Sequence, residues 1–227
     1  QSGRGLALVH VEAGLRSFDR RMPEEHNRVV TDHLSDLCCA ATADNVHNLE
    51  SEGISASAVL RTGNTIVEAV ASQLPDPEAQ AAVRSAHDVE PGRYVLATVH
   101  RPENTDDPQA LTAILAGLRQ VGREHRLPVL VPLHPRTRAA VERAGGERLL
   151  DGLRVMDPLG SVDFLSLAAS AAVLVSDSGG IAEEVTILKR PLVIVRRSTE
   201  RAESIWSGFA TLVWPDEVHE TASGLLS

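Results

Sequence analysis

"YVLATVHRPENTDDPQALTAILAGLRQVGREHRLPVLVPLH", Tyr94 to His134, decides the fold. Two short β-branched runs, "YVLATVH" and "PVLVPLH", enclose one long amphipathic stretch, "PQALTAILAGLRQVGREH". Within it Leu111, Ile114, Leu115, Leu118 and Val121 follow the i, i+3, i+4, i+7 spacing of a helix that packs one face on a sheet. The unit therefore reads as strand, helix, strand.

The same alternation continues downstream. A helix follows Pro135, then come "LRVMD", a short helix around Phe164, "AVLVSD", the helical "IAEEVTIL", "PLVIVR", a polar loop and "ATLVW". This is the rhythm of a doubly wound parallel α/β sheet. Upstream, "GLALVHVE" and "LCCAAT" read as strands separated by a helix starting near Pro23. "ADNVHNLESEGI" follows as a helix, and "VLRTGNTIVEAVA" as strand, turn and helix. The stretch "SQLPDPEAQAAVRSAHDVEPG" is rich in Pro and charge and has no strand pattern. Two Rossmann-like domains are thus expected: residues 1–72, a linker at 73–92, and residues 93–227. The first is too short for a complete sheet of its type.

At 227 residues and 43% hydrophobic, the chain is long enough for one large domain or two modest ones. The formal net charge of -9 argues against a nucleic-acid partner. Cysteine occurs only as the adjacent Cys38 and Cys39, which fits a reducing cytoplasm better than a disulfide framework. No apolar run reaches a membrane span, so no membrane partner is expected, and the N-terminus lacks the order of a signal peptide. The chain opens at "QSGRG" without Met and enters a strand almost at once, as expected of a fragment.

In open α/β sheets, ligands lie beyond the carboxyl ends of the strands. His100, His134, Asp157, Asp177, Ser178 and Arg196 all fall at such ends, and one shared crevice is expected. The sharpest feature is "SDSGGIAEE", Ser176 to Glu184. A strand runs through Ser178-Gly179-Gly180 into a helix, so free backbone N–H groups and the positive helix end would face an anion with no Cβ in the way. Glu184, one turn on, is placed to accept from ribose hydroxyls. An ordinary helix start capped by Ser178 is the competing reading. Neither Walker nor G-x-G-x-x-G spacing is present, no cofactor fingerprint is found, and the His and Cys residues lack metal-ligand spacing.

The stretch "HVEAGLRSFDRRMPEEHNR", His10 to Arg28, mixes four carboxylates with four arginines just after a strand. Glu12 closes that strand and Glu24 follows Pro23 at a helix start. Two carboxylates in an interdomain cleft suit removal of a proton from carbon and its return. Arg28, one turn after Glu24, is suited to bidentate phosphate contact. Asp19, Arg20 and Arg21 read as a solvated loop.

Taken in order, "HVEAGLRSFDRRMPEEHNR", "TGNT", "HRPEN", "LHP", "SDSGGIAEE" and "STERAE" resemble the bacterial and archaeal UDP-N-acetylglucosamine 2-epimerases over nearly the whole chain. The resemblance implies a fold similar to the GT-B glycosyltransferases, with UDP held by the C-terminal domain, no cofactor, and a cytoplasmic homodimer. It implies interconversion of UDP-N-acetylglucosamine and UDP-N-acetylmannosamine by elimination of UDP to a 2-acetamidoglucal and re-addition. Carried over by position, Glu12 and Glu24 match catalytic glutamates and His100 the histidine at the pyrophosphate. Ser178, Gly179 and Gly180 match the phosphate cradle, Glu184 the ribose contact and Phe164 the residue beside uracil. Arg28, His134 and Arg201 match further substrate contacts. The family's N-terminal segment and its final helix have no counterpart in this sequence. "HRPEN" replaces the "HRREN" of many bacterial members, and Ala202 stands where Pro is common.

Other functions share these motifs. A hydrolysing epimerase would release UDP and N-acetylmannosamine, and a relative acting on a modified UDP-amino sugar would keep the same glutamates. A GT-B glycosyltransferase or a non-catalytic UDP-sugar-binding module would keep the nucleotide cradle alone.

Overall fold

The computed structural model describes residues 5–199, 205 and 207–227. The chain divides into two compact units, residues 1–69 and 70–227.

In unit 1, β1 (Val9–Ala13), α1 (Pro23–Leu34), β2 (Leu37–Ala40), α2 (Ala43–Ser51) and β3 (Val59–Arg61) form a three-stranded parallel sheet in the order β1-β2-β3. Helix α2 starts at a reciprocal cap: Thr42 accepts from the Asn45 backbone while the Asn45 side chain accepts from Thr42 N–H. Its buried Leu49 packs with Ala13, Cys38 and Ala40. Because side chains alternate across a strand, the other sheet face carries Val9 and Val11 of β1 and Leu60 of β3, at 50%, 52% and 53% exposure. That face is open to solvent.

Helix α3 (Thr65–Gln73) spans the division between the units. Unit 2 continues with α4 (Pro77–Ala86), β4 (Val95–Thr98), α5 (Pro102–Thr105), α6 (Pro108–His125), β5 (Val129–Pro132), α7 (Pro135–Ala144) and β6 (Arg154–Met156). Then come α8 (Ser161–Ala168), β7 (Val173–Ser176), α9 (Gly179–Leu188), β8 (Leu192–Val195), β9 (Ala210–Val213) and α10 (Val218–Leu226). Its six strands are all parallel, in the order β6-β5-β4-β7-β8-β9.

Alternation within each central strand builds the two covered faces of this sheet. Val95 and Ala97, with Val129 and Val173, pack beneath α6, whose Leu111, Ile114, Leu115, Leu118 and Val121 are all buried as their spacing predicts. Leu96, with Leu130, Leu174 and Leu192, packs on the other face against Leu167 of α8 and Val185 of α9. Burying a side chain of this size contributes about 1.5–3 kcal/mol, so these two layers fix the frame on which the strand ends sit.

The segment expected as a linker, 73–92, differs from that reading. Asp76 caps α4 through Ala79 N–H, with Pro77 in the first turn. Arg84 then donates to Ser170 Oγ and Gly92 N–H to the Ser170 carbonyl, so the segment belongs to unit 2. Its Pro and charge content marks a helix start and an exposed helix face.

Candidate functional site

The order of the six strands reverses between β4 and β7, and the crevice at their carboxyl ends is where doubly wound sheets receive ligands. A cavity of about 400 Å³ opens there. Thr98 and His100 reach it from the end of β4, His134 from the end of β5, Phe164 from α8, and Ser178, Gly180 and Glu184 from the start of α9. Gly179 is buried at the first position of α9. Ser178 is the N-cap residue but makes no side-chain cap bond. Its hydroxyl therefore does not satisfy the helix end in the way an ordinary cap would, and the first-turn donors of α9 lie beside the cavity.

Asp177 organises the floor. Fully buried, it accepts the backbone N–H groups of His100 and Arg101 and the side-chain amide of Asn104, and stands 3.1 Å from His100 Nδ1. Burial alone would raise its pKa. The hydrogen bonds from His100 and Asn104, the His100 charge and the Arg101 N–H outweigh that and hold it below the usual carboxylate range. His100 is thereby oriented through Nδ1, with Nε2 as its other nitrogen. His134 is set by a different contact: its Nδ1 accepts the Arg136 N–H at the start of α7, which places the His134 ring proton on Nε2. The two imidazole rings lie 6.1 Å apart.

Glu184 sits on the same wall with a buried Oε2 that has no hydrogen-bond partner among the described residues. Burial, reinforced by the neighbouring Glu183 charge, pushes its pKa up to about 7. A carboxylate held like this is short of donors, and a pair of ligand hydroxyls would supply them.

Two strand-end residues do not join this crevice. Arg196 is buried at the end of β8 and lines a second cavity with Glu103, Asp107 and Trp214. Asp157 is almost fully exposed, 4.0 Å from Arg138. Strand position fixes which end of the sheet a residue occupies but not on which side of the switch point it lies. Arg201 falls outside the described residues.

Unit 1 holds the remaining candidates. Glu12 is half-buried at the end of β1, with backbone φ of +65°, and the β1–β2 register shifts between Val11 and Ala13. Glu24 is exposed in the first turn of α1. The adjacent Glu25 is buried and accepts from Ser17 N–H, Ser17 Oγ, Phe18 N–H and Arg28. Arg28, expected at a phosphate, thus donates to Glu25 at 3.1 Å. Arg20 and Arg21 are exposed, but Asp19, which Arg21 pairs with, is mostly buried, so the stretch is only partly solvated.

Behind Glu12 lies a buried ion network. Arg16 donates to Asp32 and Glu52. Burial opposes its charge, but those two carboxylates more than offset the loss and raise its pKa. The hydrogen bond from Arg16 is the main cause of the lowered Glu52 pKa. Among the described residues no group of three or more His, Cys, Asp or Glu side chains is placed to hold a metal ion, and no helix is long and apolar enough to cross a membrane.

A doubly wound parallel sheet, with two histidines and a glycine-started helix lining the crevice at its switch point, defines a Rossmann-like α/β domain. The sequence profile described as UDP-N-acetylglucosamine 2-epimerase matches residues 2–226, and the chain belongs to that family. It is 37% identical over 206 residues to the UDP-N-acetylglucosamine 2-epimerase of Methanococcus maripaludis, covering 88% of this chain and 56% of that protein. It is 36% identical over 210 residues to the UDP-2,3-diacetamido-2,3-dideoxy-D-glucuronate 2-epimerase of Pseudomonas aeruginosa, covering 92% and 57%. Among solved structures, that of the Methanocaldococcus jannaschii UDP-GlcNAc 2-epimerase in complex with UDP-GlcNAc and UDP matches with a TM-score of 0.87 at 35% identity. That match covers 97% of this chain and 62% of the other. The chain thus spans little more than half the length of the curated relatives it matches.

Proposed function

We propose that the protein serves as a UDP-N-acetylglucosamine 2-epimerase, with the cavity of unit 2 as the UDP seat. The observation that carries this is the convergence of His100, His134, Phe164, Gly180 and Glu184 on one 400 Å³ cavity, in a chain of this family. In this reading the α9 N-terminus, with Ser178, Gly179 and Gly180, receives the diphosphate, and the histidines donate to its oxygens. Glu184 accepts from the ribose hydroxyls and Phe164 lies beside uracil. Arg28, His134 and Arg201 supply further substrate contacts.

The chemistry follows from C2. Its proton, on the carbon that carries the acetamido nitrogen with no carbonyl directly attached, is too weakly acidic for simple exchange. In an elimination, a carboxylate takes that proton, the C2–H electrons form the C1=C2 bond, and the C1–O bond breaks with its electrons leaving on UDP. Donors around the diphosphate stabilise that departing charge. Re-addition forms the C1–O bond again while a proton is delivered to the opposite face of C2. Glu12 and Glu24 are the proton-transfer pair in this proposal. A cytoplasmic homodimer belongs to the same reading.

The test has two parts. Calorimetry with UDP is expected to show binding near micromolar, on the order of -8 kcal/mol, and no binding at millimolar UDP overturns the assignment of the cavity. NMR of UDP-GlcNAc incubated in heavy water is expected to show UDP-ManNAc with deuterium at C2. Free N-acetylmannosamine in its place would identify a hydrolysing enzyme, and UDP binding with no reaction a binding module.

A further inference from the structure

The geometry points to Asp32 as the positioning residue that holds Glu12 in its unusual backbone conformation, an inference that rests on Glu12 acting in proton transfer. Glu12 is the extra residue of a bulge: Val11 pairs with Cys39 and Ala13 with the very next residue, Ala40. Its φ of +65° is in the left-handed region, which a residue with a Cβ adopts only when its surroundings impose it. Bulges of this kind re-aim a side chain next to a site.

What imposes it is one carboxylate reaching both flanks of the bulge. Asp32, with its side chain fully buried, lies across from β1 near the end of α1. Its Oδ1 is 2.5 Å from Nδ1 of His10, two residues before Glu12. Its Oδ2 accepts the N–H of Gly14, two residues after Glu12, at 3.2 Å. The strand is held at both ends of the bulge, and Glu12 is the residue left in between.

Two further contacts keep the clamp from relaxing. Arg16 donates to Asp32 Oδ2 at 2.7 Å and is itself anchored by Glu52, so the carboxyl group is held in place from a third side. On the far side the Gly14 carbonyl accepts from the amides of Asn45 and Asn48 on α2, and a Cβ on Gly14 would come within 2.3 Å of the Asn45 carbonyl oxygen. Gly14 cannot move toward α2, and Asp32 prevents it from moving away. The positive φ of Gly14, +79°, is the glycine-only part of the same turn. None of these contacts is with Glu12 itself, so the role is positioning and not proton transfer.

Two variants test this. Asp32→Asn keeps the volume but removes the charge, and it destabilises the buried network. His10→Leu removes only the forward contact at a partly exposed position, and His10→Gln restores a donor there. Asp32→Asn and His10→Leu are both expected to lower kcat for epimerisation about 10- to 100-fold, the scale of an ångström-sized misplacement of a reacting group, with KM within about threefold. His10→Gln is expected to recover more than half of the His10→Leu loss. Independently of activity, the Glu12 Cα and Cβ NMR shifts are expected to leave their left-handed values in Asp32→Asn. Unchanged Glu12 shifts in both disrupting variants overturn the clamp, as does wild-type kcat in folded His10→Leu together with folded Asp32→Asn. If the wild type neither epimerises nor exchanges deuterium, the functional reading fails, and the Glu12 shifts still decide the clamp.

Discussion

Asp177 and His100 are joined twice: the buried carboxylate accepts the His100 backbone N–H and also lies 3.1 Å from its ring Nδ1. One residue at the end of β7 therefore fixes both the backbone and the imidazole at the end of the neighbouring β4. Replacing Asp177 by Asn turns an acceptor with two oxygens into a group with one oxygen and an NH₂ that faces other donors. This variant is expected to lose about 2–4 kcal/mol of stability, read from urea unfolding at pH 7. The wild-type pKa is depressed, so its contribution is present above the ordinary carboxylate range and disappears as pH falls through the folded value. The gap between wild type and Asp177→Asn should accordingly narrow in acid.

Glu184 gives the opposite sign. Its folded pKa, about 7, lies above the ordinary 4.5, so the folded state holds an extra proton between these values. That contribution is full below pH 4.5 and is lost as pH rises through 7. Glu184→Gln, neutral throughout, is expected to melt higher than wild type at pH 8 and level with it near pH 4.5. Ribose hydroxyls donating to the carboxylate would favour its ionised form, so UDP affinity in the wild type should rise from pH 6 to 8 with release of a proton. Calorimetry in two buffers of different ionisation enthalpy reads that proton, and a pH-independent affinity contradicts the ribose role.

A side chain at Gly180 would enter the cavity without disturbing the protein. A Cβ built there meets only Ser178 Oγ, at 3.8 Å. Gly180→Val is expected to weaken UDP binding at least about tenfold, or 1.4 kcal/mol, with Tm unchanged. UDP affinity equal to wild type would remove the α9 N-terminus from the proposed diphosphate seat.

The glutamates are expected to separate binding from chemistry. Glu12→Gln and Glu24→Gln should each lower kcat about 100-fold or more with little change in KM, as expected when a proton-transfer group is removed. UDP titrations of both variants should match wild type. A variant that binds UDP-GlcNAc weakly but turns over at the normal rate would show that its glutamate binds rather than transfers protons.

The doubly wound sheet was legible because periodicity and β-branched runs report burial directly, as the fully buried stripe of α6 illustrates. The crevice residues His100, His134, Ser178 and Glu184 were legible because strand ends and helix starts can be counted along the chain. Helix α4 was not, because Pro77 at a helix start and Pro in a linker look alike until Asp76 is seen to cap the turn. Nor were the partners of buried carboxylates. Glu24 and Glu25 are adjacent and chemically identical, yet one is exposed and the other buried under Ser17, Phe18 and Arg28. Helix phase against a loop decides that. Asp32 looks like one more polar residue of α1, and only tertiary structure brings it to His10 and Gly14, 22 and 18 residues away.

The open face of the unit 1 sheet bears on how the molecule behaves in concentrated solution. Val9, Val11 and Leu60 present an apolar surface that water hydrates poorly. The net charge of -9 sets molecules apart at low ionic strength. Added salt screens that repulsion within about 8 Å at 0.15 M but leaves the apolar attraction intact. The second virial coefficient should therefore fall from positive toward negative as salt is added, and Val11→Thr with Leu60→Thr should keep it positive.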